Sequence, residues 1–214
     1  MKLYVYDHCP FCVKARTIFG LKNMPFDLAV MLNNDEDTPI RMIGKKMAPI
    51  LEHDGRYIPE SMDIVRYVDE TFGDRVLGGT LNTQIAEWIS GASDVLYPLA
   101  HPRWAASPLE EFSTPEARAY FTRNKEAMIG NFADRMADSG RYIAEMNGRL
   151  EALEALIQSP DAVNGEISED DIHLFATLRA LSIVRGIVYP PLVESYRQQM
   201  AYLTGVQLHD DLAI

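Results

Sequence analysis

The segment Lys2 to Lys22, KLYVYDHCPFCVKARTIFGLK, decides how this chain is read. Cys9 and Cys12 within it are the only cysteines of the protein. Two cysteines scattered at random would fall at that spacing only roughly one time in a hundred, so they are read as one unit. Lys2 to Tyr6, alternating and rich in β-branched and aromatic residues, predicts a short strand. Val13 to Lys22 predicts a helix with Ala15, Ile18 and Phe19 on its apolar stripe. The cysteines therefore stand where a strand becomes a helix. Pro10 suits the first helical turn, where its fixed φ helps and its missing N–H costs nothing.

That position has chemical consequences. Free N–H groups and the positive end of the helix dipole favour a thiolate over a thiol. A cysteine there titrates below the free value of about 8.5, and the thiolate is the reactive form. Lys14 and Arg16 add positive charge one turn away, while Asp7 works against them. Cys9, at the exposed cap, is expected to be the nucleophile. Cys12, one turn in and more shielded, is expected to be the resolving thiol.

Other uses of the pair fit less well. A structural disulfide would close a tiny loop in a chain that shows no signal peptide. Zinc would need two further ligands, and beyond the adjacent His8 the histidines at 53, 101, 173 and 209 are scattered. A c-type haem site would need His at position 13, which is Val. Redox chemistry is the reading these residues favour.

Length and charge set the frame. A chain of 214 residues makes one large or two small domains with proper cores. No apolar run is long enough to span a bilayer, so a cytoplasmic protein with reduced thiols is expected. The net charge of −11 argues against nucleic acid or an anionic membrane as partner. Most of that charge lies beyond residue 72; residues 1–72 are nearly balanced. A small anion would find its basic groups in the N-terminal part, at Lys45 and Lys46.

The two parts follow different patterns. Phe26 to Met31 reads as a second strand, Pro39 to Lys46 as a short helix and Pro49 to Glu52 as a third strand. Asp54-Gly55 reads as a turn, Tyr57-Ile58 as the end of a fourth strand, and Ser61 starts a helix running to Glu70. This is βαβ followed by a hairpin and a helix, an α/β domain over 1–72. Residues 73–83 are Gly-rich and polar, a linker. From 84 to 214 every strong signal is helical, as at Ile85, Trp88, Ile89, Ala92, Leu96 and Leu99. Thr114-Pro115 and Ser168 to Asp171 carry helix-start signatures, Asn164-Gly165 breaks the chain, and Pro190-Pro191 admits a last helix near Leu192 to Leu203. An all-α helical bundle is predicted there.

KLYVYDHCPFCVKAR, MAPIL, PESMDIVRYVDE and NGEISEDD together resemble the large bacterial glutaredoxins of the glutaredoxin-2 type. STPEARAYF and GNFAD extend the likeness into the helical part. The resemblance implies a thioredoxin-fold domain followed by a helical domain, the architecture of glutathione transferases. It implies a cis bond at Ala48-Pro49, with the Ala48 backbone pairing to the peptide part of glutathione. It gives Glu60 and Ser61 the γ-glutamyl end, Ser61 doubling as cap of a helix beginning at Met62. Lys45 or Lys46 would meet the glycine carboxylate. Phe11 stands where tyrosine is common, keeping an apolar face for the ligand and losing a hydroxyl. Asp7-His8 stand where small glutaredoxins often have lysine. His8 either tunes Cys9 or is an exposed loop residue, and the spacing, which demands no base, favours the second.

The expectation is therefore a glutathione-dependent thiol–disulfide oxidoreductase, acting as a monomer on disulfide-bonded or glutathionylated proteins. Glutathione would be a co-substrate, with no bound cofactor and no metal; the proline between the cysteines also argues against a bridging iron–sulfur cluster. A glutathione transferase conjugating electrophiles is the first alternative, but a second cysteine has no task there. A non-catalytic interaction protein on the same fold is the second, and it has no need of an accessible dithiol.

Overall fold

Alternating apolar residues start the fold. The computed structural model describes residues 1–214, beginning with strand β1 (Lys2–Val5), whose Leu3 and Val5 are fully buried. Helix α1 (Pro10–Leu21) follows with Pro10 in its first turn, and it buries Cys12, Val13, Ala15, Ile18 and Phe19. Strand β2 (Asp27–Val30) returns parallel to β1, as a helical crossover requires. Helix α2 (Asp37–Ile43) stops at Gly44, whose φ of 76° closes the last turn, so the helix expected to reach Lys46 ends three residues sooner.

Strands β3 (Ile50–His53) and β4 (Arg56–Pro59) form a hairpin across Asp54-Gly55, both at positive φ. Helix α3 (Ser61–Thr71) follows. The sheet order is β2-β1-β3-β4, with β1–β3 and β3–β4 antiparallel. The peptide bond Ala48-Pro49 is cis.

Beyond residue 82 the chain is helical: α4 (Thr83–Ala106), α5 (Pro115–Ile129), α6 (Phe132–Ala137), α7 (Ser139–Glu154), α8 (Glu169–Leu181) and α9 (Pro191–Thr204), with a 3-10 turn at Glu110–Phe112. Local chemistry sets the starts. The Thr114 side chain accepts from the Ala117 N–H, and Asp171 accepts from both the N–H and the hydroxyl of Ser168. No helix is long and apolar enough to cross a membrane.

Two apolar cores result. One lies between the sheet and α1 and α3, the other inside the helical bundle. They trade residues: Val13 of α1 belongs to the bundle core, and Ile172 of α8 to the sheet core. The two parts meet tightly at Gly20, where an added Cβ would stand 2.0 Å from the Thr204 carbonyl oxygen. The segment joining the two parts is held down. The Asp69 carboxylate accepts from the Val76 N–H at 2.8 Å, and Asp170 accepts from the Asn82 N–H at 2.7 Å. Helix α1, which carries the cysteines, is thus gripped from both sides.

Candidate active site

Cys9 is the N-cap of α1, and its carbonyl accepts the first helical bond, from Val13 N–H at 3.0 Å. Both cysteines are free thiols; Cys9 is half-buried and Cys12 fully buried. The Cys12 sulfur accepts from the Tyr6 N–H at 3.3 Å. The two are electrostatically unlike. A hydrogen bond from Cys12, the charge of His8 and the N–H groups of Cys12 and Phe11 outweigh burial at Cys9 and lower its pKa to about 6. Burial, reinforced by the hydrogen bond and charge of Cys9, pushes Cys12 well above an ordinary thiol.

The expected surroundings of Cys9 need two corrections. Arg16 does not lend its charge, because Asp7 takes it up at 2.5 Å. Asp7 also meets Arg179 of α8 at 2.9 Å and His209 at 2.8 Å. Burial opposes the Asp7 charge, yet the His209 hydrogen bond and the two guanidinium groups hold its carboxyl well below the usual range. His8 is not an exposed loop residue. It is 6% exposed, enclosed by Trp104, Phe112 and Phe121 at ring distances of 5.0, 5.0 and 5.1 Å. Its Nδ1 and Glu111 Oε1 are 2.7 Å apart, and the same oxygen accepts from its backbone N–H at 2.8 Å. The first correction is local, a pair within the α/β part; the second arises because groups from the helical part cover a loop that would be open in the α/β part alone.

Two cavities meet at Cys9. One, of about 270 Å³, runs between Tyr6, Lys46 and Ala48 on the sheet side and Tyr120 and Asn124 of α5. The Ala48 N–H and C=O have no partner within the chain, which leaves them open to a ligand. Lys46 donates to the Asn33 carbonyl at 2.5 Å and lies 3.7 Å from the centre of the Tyr120 ring. Its neighbour Lys45 lies away from this cavity, in an exposed pair with Glu60 at 3.3 Å. The two lysines thus face different tasks. The other cavity, of about 250 Å³, is more apolar, with Phe11 and, from the helical part, Tyr97, Trp104, Met128 and Ile129 in its wall. Phe11, 51% exposed, lines this cavity and not the one holding Lys46 and Ala48.

Ser61 departs from its expected role as a cap. It is the first residue of α3, the N-cap is Glu60, and no side chain caps this end. Glu60 has φ 66° and ψ 124°, a strained conformation for a residue with a side chain. It turns the chain so that the N–H groups of Ser61, Met62 and Asp63 precede the first helical bond, from Ile64 to Glu60. The Ser61 side chain is buried yet makes no hydrogen bond of its own. Free N–H groups and a free hydroxyl at a helix start suit a carboxylate.

Glu111, Asn33, Tyr97, Trp104, Tyr120 and Lys125 were not singled out by the sequence reading. Tyr120 falls within STPEARAYF, a stretch already distinctive in the helical part. Nothing in the spacing around Glu111 marks it. No cluster of three His, Cys, Asp or Glu side chains stands where it would hold a metal.

Comparison with known proteins places the chain in a family. Residues 84–213 match the family described as Glutaredoxin 2, C terminal domain, and residues 3–76 match Glutathione S-transferase, N-terminal domain. Glutaredoxin 2 of Escherichia coli strain K12 is 52% identical over the full length of both chains. The crystal structure of glutaredoxin 2 from Salmonella typhimurium in complex with glutathione superposes with a TM-score of 0.98 at 53% identity, covering 100% of this chain and 98% of that one. A glutathione S-transferase of Ceriporiopsis subvermispora superposes at 0.68 with 17% identity over 97% of each chain, a likeness of fold alone.

Proposed function

This chain belongs to the glutaredoxin 2 family, and from that premise we infer that Cys9 is its attacking thiolate and Cys12 its resolving thiol. The protein is a glutathione-dependent thiol–disulfide oxidoreductase with glutathione as substrate. The observation that carries the assignment of roles is the inequality of the two sulfurs. Cys9 is half-exposed where two cavities meet and readily ionised, whereas Cys12 is buried behind it and resists ionisation.

On a glutathionylated protein, the Cys9 thiolate attacks the glutathionyl sulfur. A Cys9–glutathione disulfide forms, the old S–S bond breaks, and the substrate leaves as a thiolate that takes a proton from the medium. A second glutathione thiolate then attacks the glutathionyl sulfur, giving oxidised glutathione and free Cys9. On a protein disulfide, Cys9 attacks first. Cys12 then loses its proton and attacks Cys9, which frees the reduced substrate and leaves a Cys9–Cys12 disulfide. Two glutathiones reduce that bond again.

Glutathione is assigned to the Lys46 cavity. Lys46 would hold its glycine carboxylate, the open Ala48 backbone beside cis Pro49 would pair with its peptide, and the start of α3 at Glu60 and Ser61 would take its γ-glutamyl carboxylate. Lys45 acts through Glu60, as its ion pair there suggests. Phe11 is assigned to the substrate half of the mixed disulfide, since it lines the other cavity. Residues 1–72 and 84–214 are taken as two domains joined by 73–83. The protein is taken as a cytoplasmic monomer whose clients are disulfide-bonded or glutathionylated proteins, consistent with thiols that must stay reduced.

The test is glutathione-coupled reduction of a small glutathione mixed disulfide, run beside conjugation of glutathione to an aryl chloride. Turnover of the disulfide that depends on Cys9 is expected. Conjugation that survives Cys9→Ser, without disulfide reduction in the wild type, would overturn the reading.

A further inference from the structure

The covered loop before Cys9 holds a charged group that disulfide exchange, as described, does not use. Glu111 is 0% exposed, and Oε1 has no hydrogen-bond partner except His8, through both the ring and the backbone N–H. Its other oxygen has no partner at all. An ionised carboxylate in such a place is very costly without a counter-charge. Burial raises its proton affinity, but the hydrogen bonds and charge of His8 win, and its carboxyl stays below the usual range. The Glu111 turn cannot drift. Its carbonyl accepts from the Asn33 N–H at 2.9 Å, and Arg118 of α5 donates to the next carbonyl, Phe112, at 2.9 Å.

We propose that Glu111, supplied by the helical part, is a positioning residue for disulfide exchange: it fixes the His8 ring beside Cys9, and the imidazole so held stabilises the Cys9 thiolate. This rests on Cys9 being the attacking sulfur. The Nδ1–H points to Glu111, so Nε2 is the nitrogen left to the cavities, both of which His8 lines together with Cys9. The arrangement resembles a carboxylate that orients a metal-binding or catalytic imidazole through its far nitrogen.

Other charges face the pair. Cys12 lies behind Cys9, Lys14 stands on the same helix, Tyr6 just past the end of β1 and Tyr97 on α4. Lys125 of α5 lines both cavities, Lys46 lines one, and His101 of α4 feels the charge of His8. Only Glu111 contacts the His8 ring through a hydrogen bond.

Coupled charges act reciprocally, which gives a test on the intact protein. In Cys12→Ser protein with ¹⁵N-labelled histidines, Cys9 is converted to a neutral thioether with iodoacetamide. The His8 titration midpoint is expected to fall by about one pH unit, the usual size for a neighbouring opposite charge. An unmoved His8 midpoint overturns the proposal. In Glu111→Gln, which keeps an acceptor but loses the charge, the Cys9 alkylation midpoint should rise by about one unit, tenfold less thiolate near neutrality. A folded Glu111→Gln protein with an unchanged midpoint overturns it as well. Where that variant does not fold, His8→Phe/Glu111→Gln removes the imidazole and the carboxylate and keeps a ring among Trp104, Phe112 and Phe121; the same rise is expected, and its absence is decisive. A wild-type protein unable to reduce a glutathione mixed disulfide would instead refute the exchange reaction, while the linkage between His8 and Cys9 stayed measurable.

Discussion

The sheet side and the helical side of the active site do different work. The sheet side supplies the reacting sulfurs, the open Ala48 backbone and the start of α3, all within the first seventy residues. The helical side supplies no reacting sulfur, yet it encloses His8, neutralises Asp7 through Arg179 and forms most of the apolar wall facing Phe11. The reaction is local to a strand-to-helix junction. Part of its electrostatic setting is held by residues about a hundred or more positions away in sequence, as the span from His8 to Glu111 shows.

The sharpest way to break this division is at the sulfurs. Cys9→Ser is expected to abolish both the glutathione mixed-disulfide and the protein-disulfide reactions. Cys12→Ser should retain substantial deglutathionylation, because glutathione resolves Cys9 without it. Equal loss in both variants, followed by coupled glutathione turnover, would erase the distinction between attacking and resolving thiol.

Next in size is the reach of the helical side into the α/β part. Arg179→Met leaves Asp7 with Arg16 and His209 but removes a buried guanidinium. A loss of about 3 kcal/mol is expected, the low end for removing one member of a buried pair. Denaturant unfolding measures it, and a loss below 0.5 kcal/mol, as for a surface change, would show that the contact is incidental. Asp7 also gives acid sensitivity a direction. Its carboxyl binds protons less readily folded than unfolded, so its contribution is complete above the ordinary carboxylate pKa near 4 and is lost as the pH falls toward its lower folded value. The stability of Asp7→Asn should therefore fall less steeply than wild type below pH 4.

Sequence reading succeeded where structure is decided locally. The strand and helix around Cys9, the Asp54-Gly55 turn and the Ser168–Asp171 helix start all rest on neighbours within a few residues. It failed where tertiary cover decides. His8 looks like any polar loop residue until Trp104, Phe112 and Glu111 close over it. The cap of α3, read as Ser61, was misplaced by one residue for a different reason. The turn is made at Glu60 with positive φ, a conformation glutamate rarely adopts, so Ser61 looked like the cap that Glu60 is. Lys45 and Lys46 were indistinguishable in sequence, and only the fold separates the one paired with Glu60 from the one in the cavity.

That misplaced cap makes the smallest effect a clean one. With no capping bond to lose, Ser61→Ala should cost less than about 0.5 kcal/mol of stability. If its hydroxyl meets the γ-glutamyl carboxylate, the loss of a bond to a charged group should cost about 1.5–3 kcal/mol, roughly ten- to a hundredfold in apparent glutathione affinity. The glutathione dependence of turnover reads this directly. An unchanged dependence would remove Ser61 from the binding site.

One titration bears on the whole division of labour: alkylation of reduced wild-type protein from pH 4 to 10, with each cysteine quantified separately by mass spectrometry. Cys9 should be modified with a midpoint near 6, because its thiolate is stabilised against burial, while Cys12 stays unmodified well past neutrality. A single shared midpoint, near that of a free thiol at about 8.5, would contradict it.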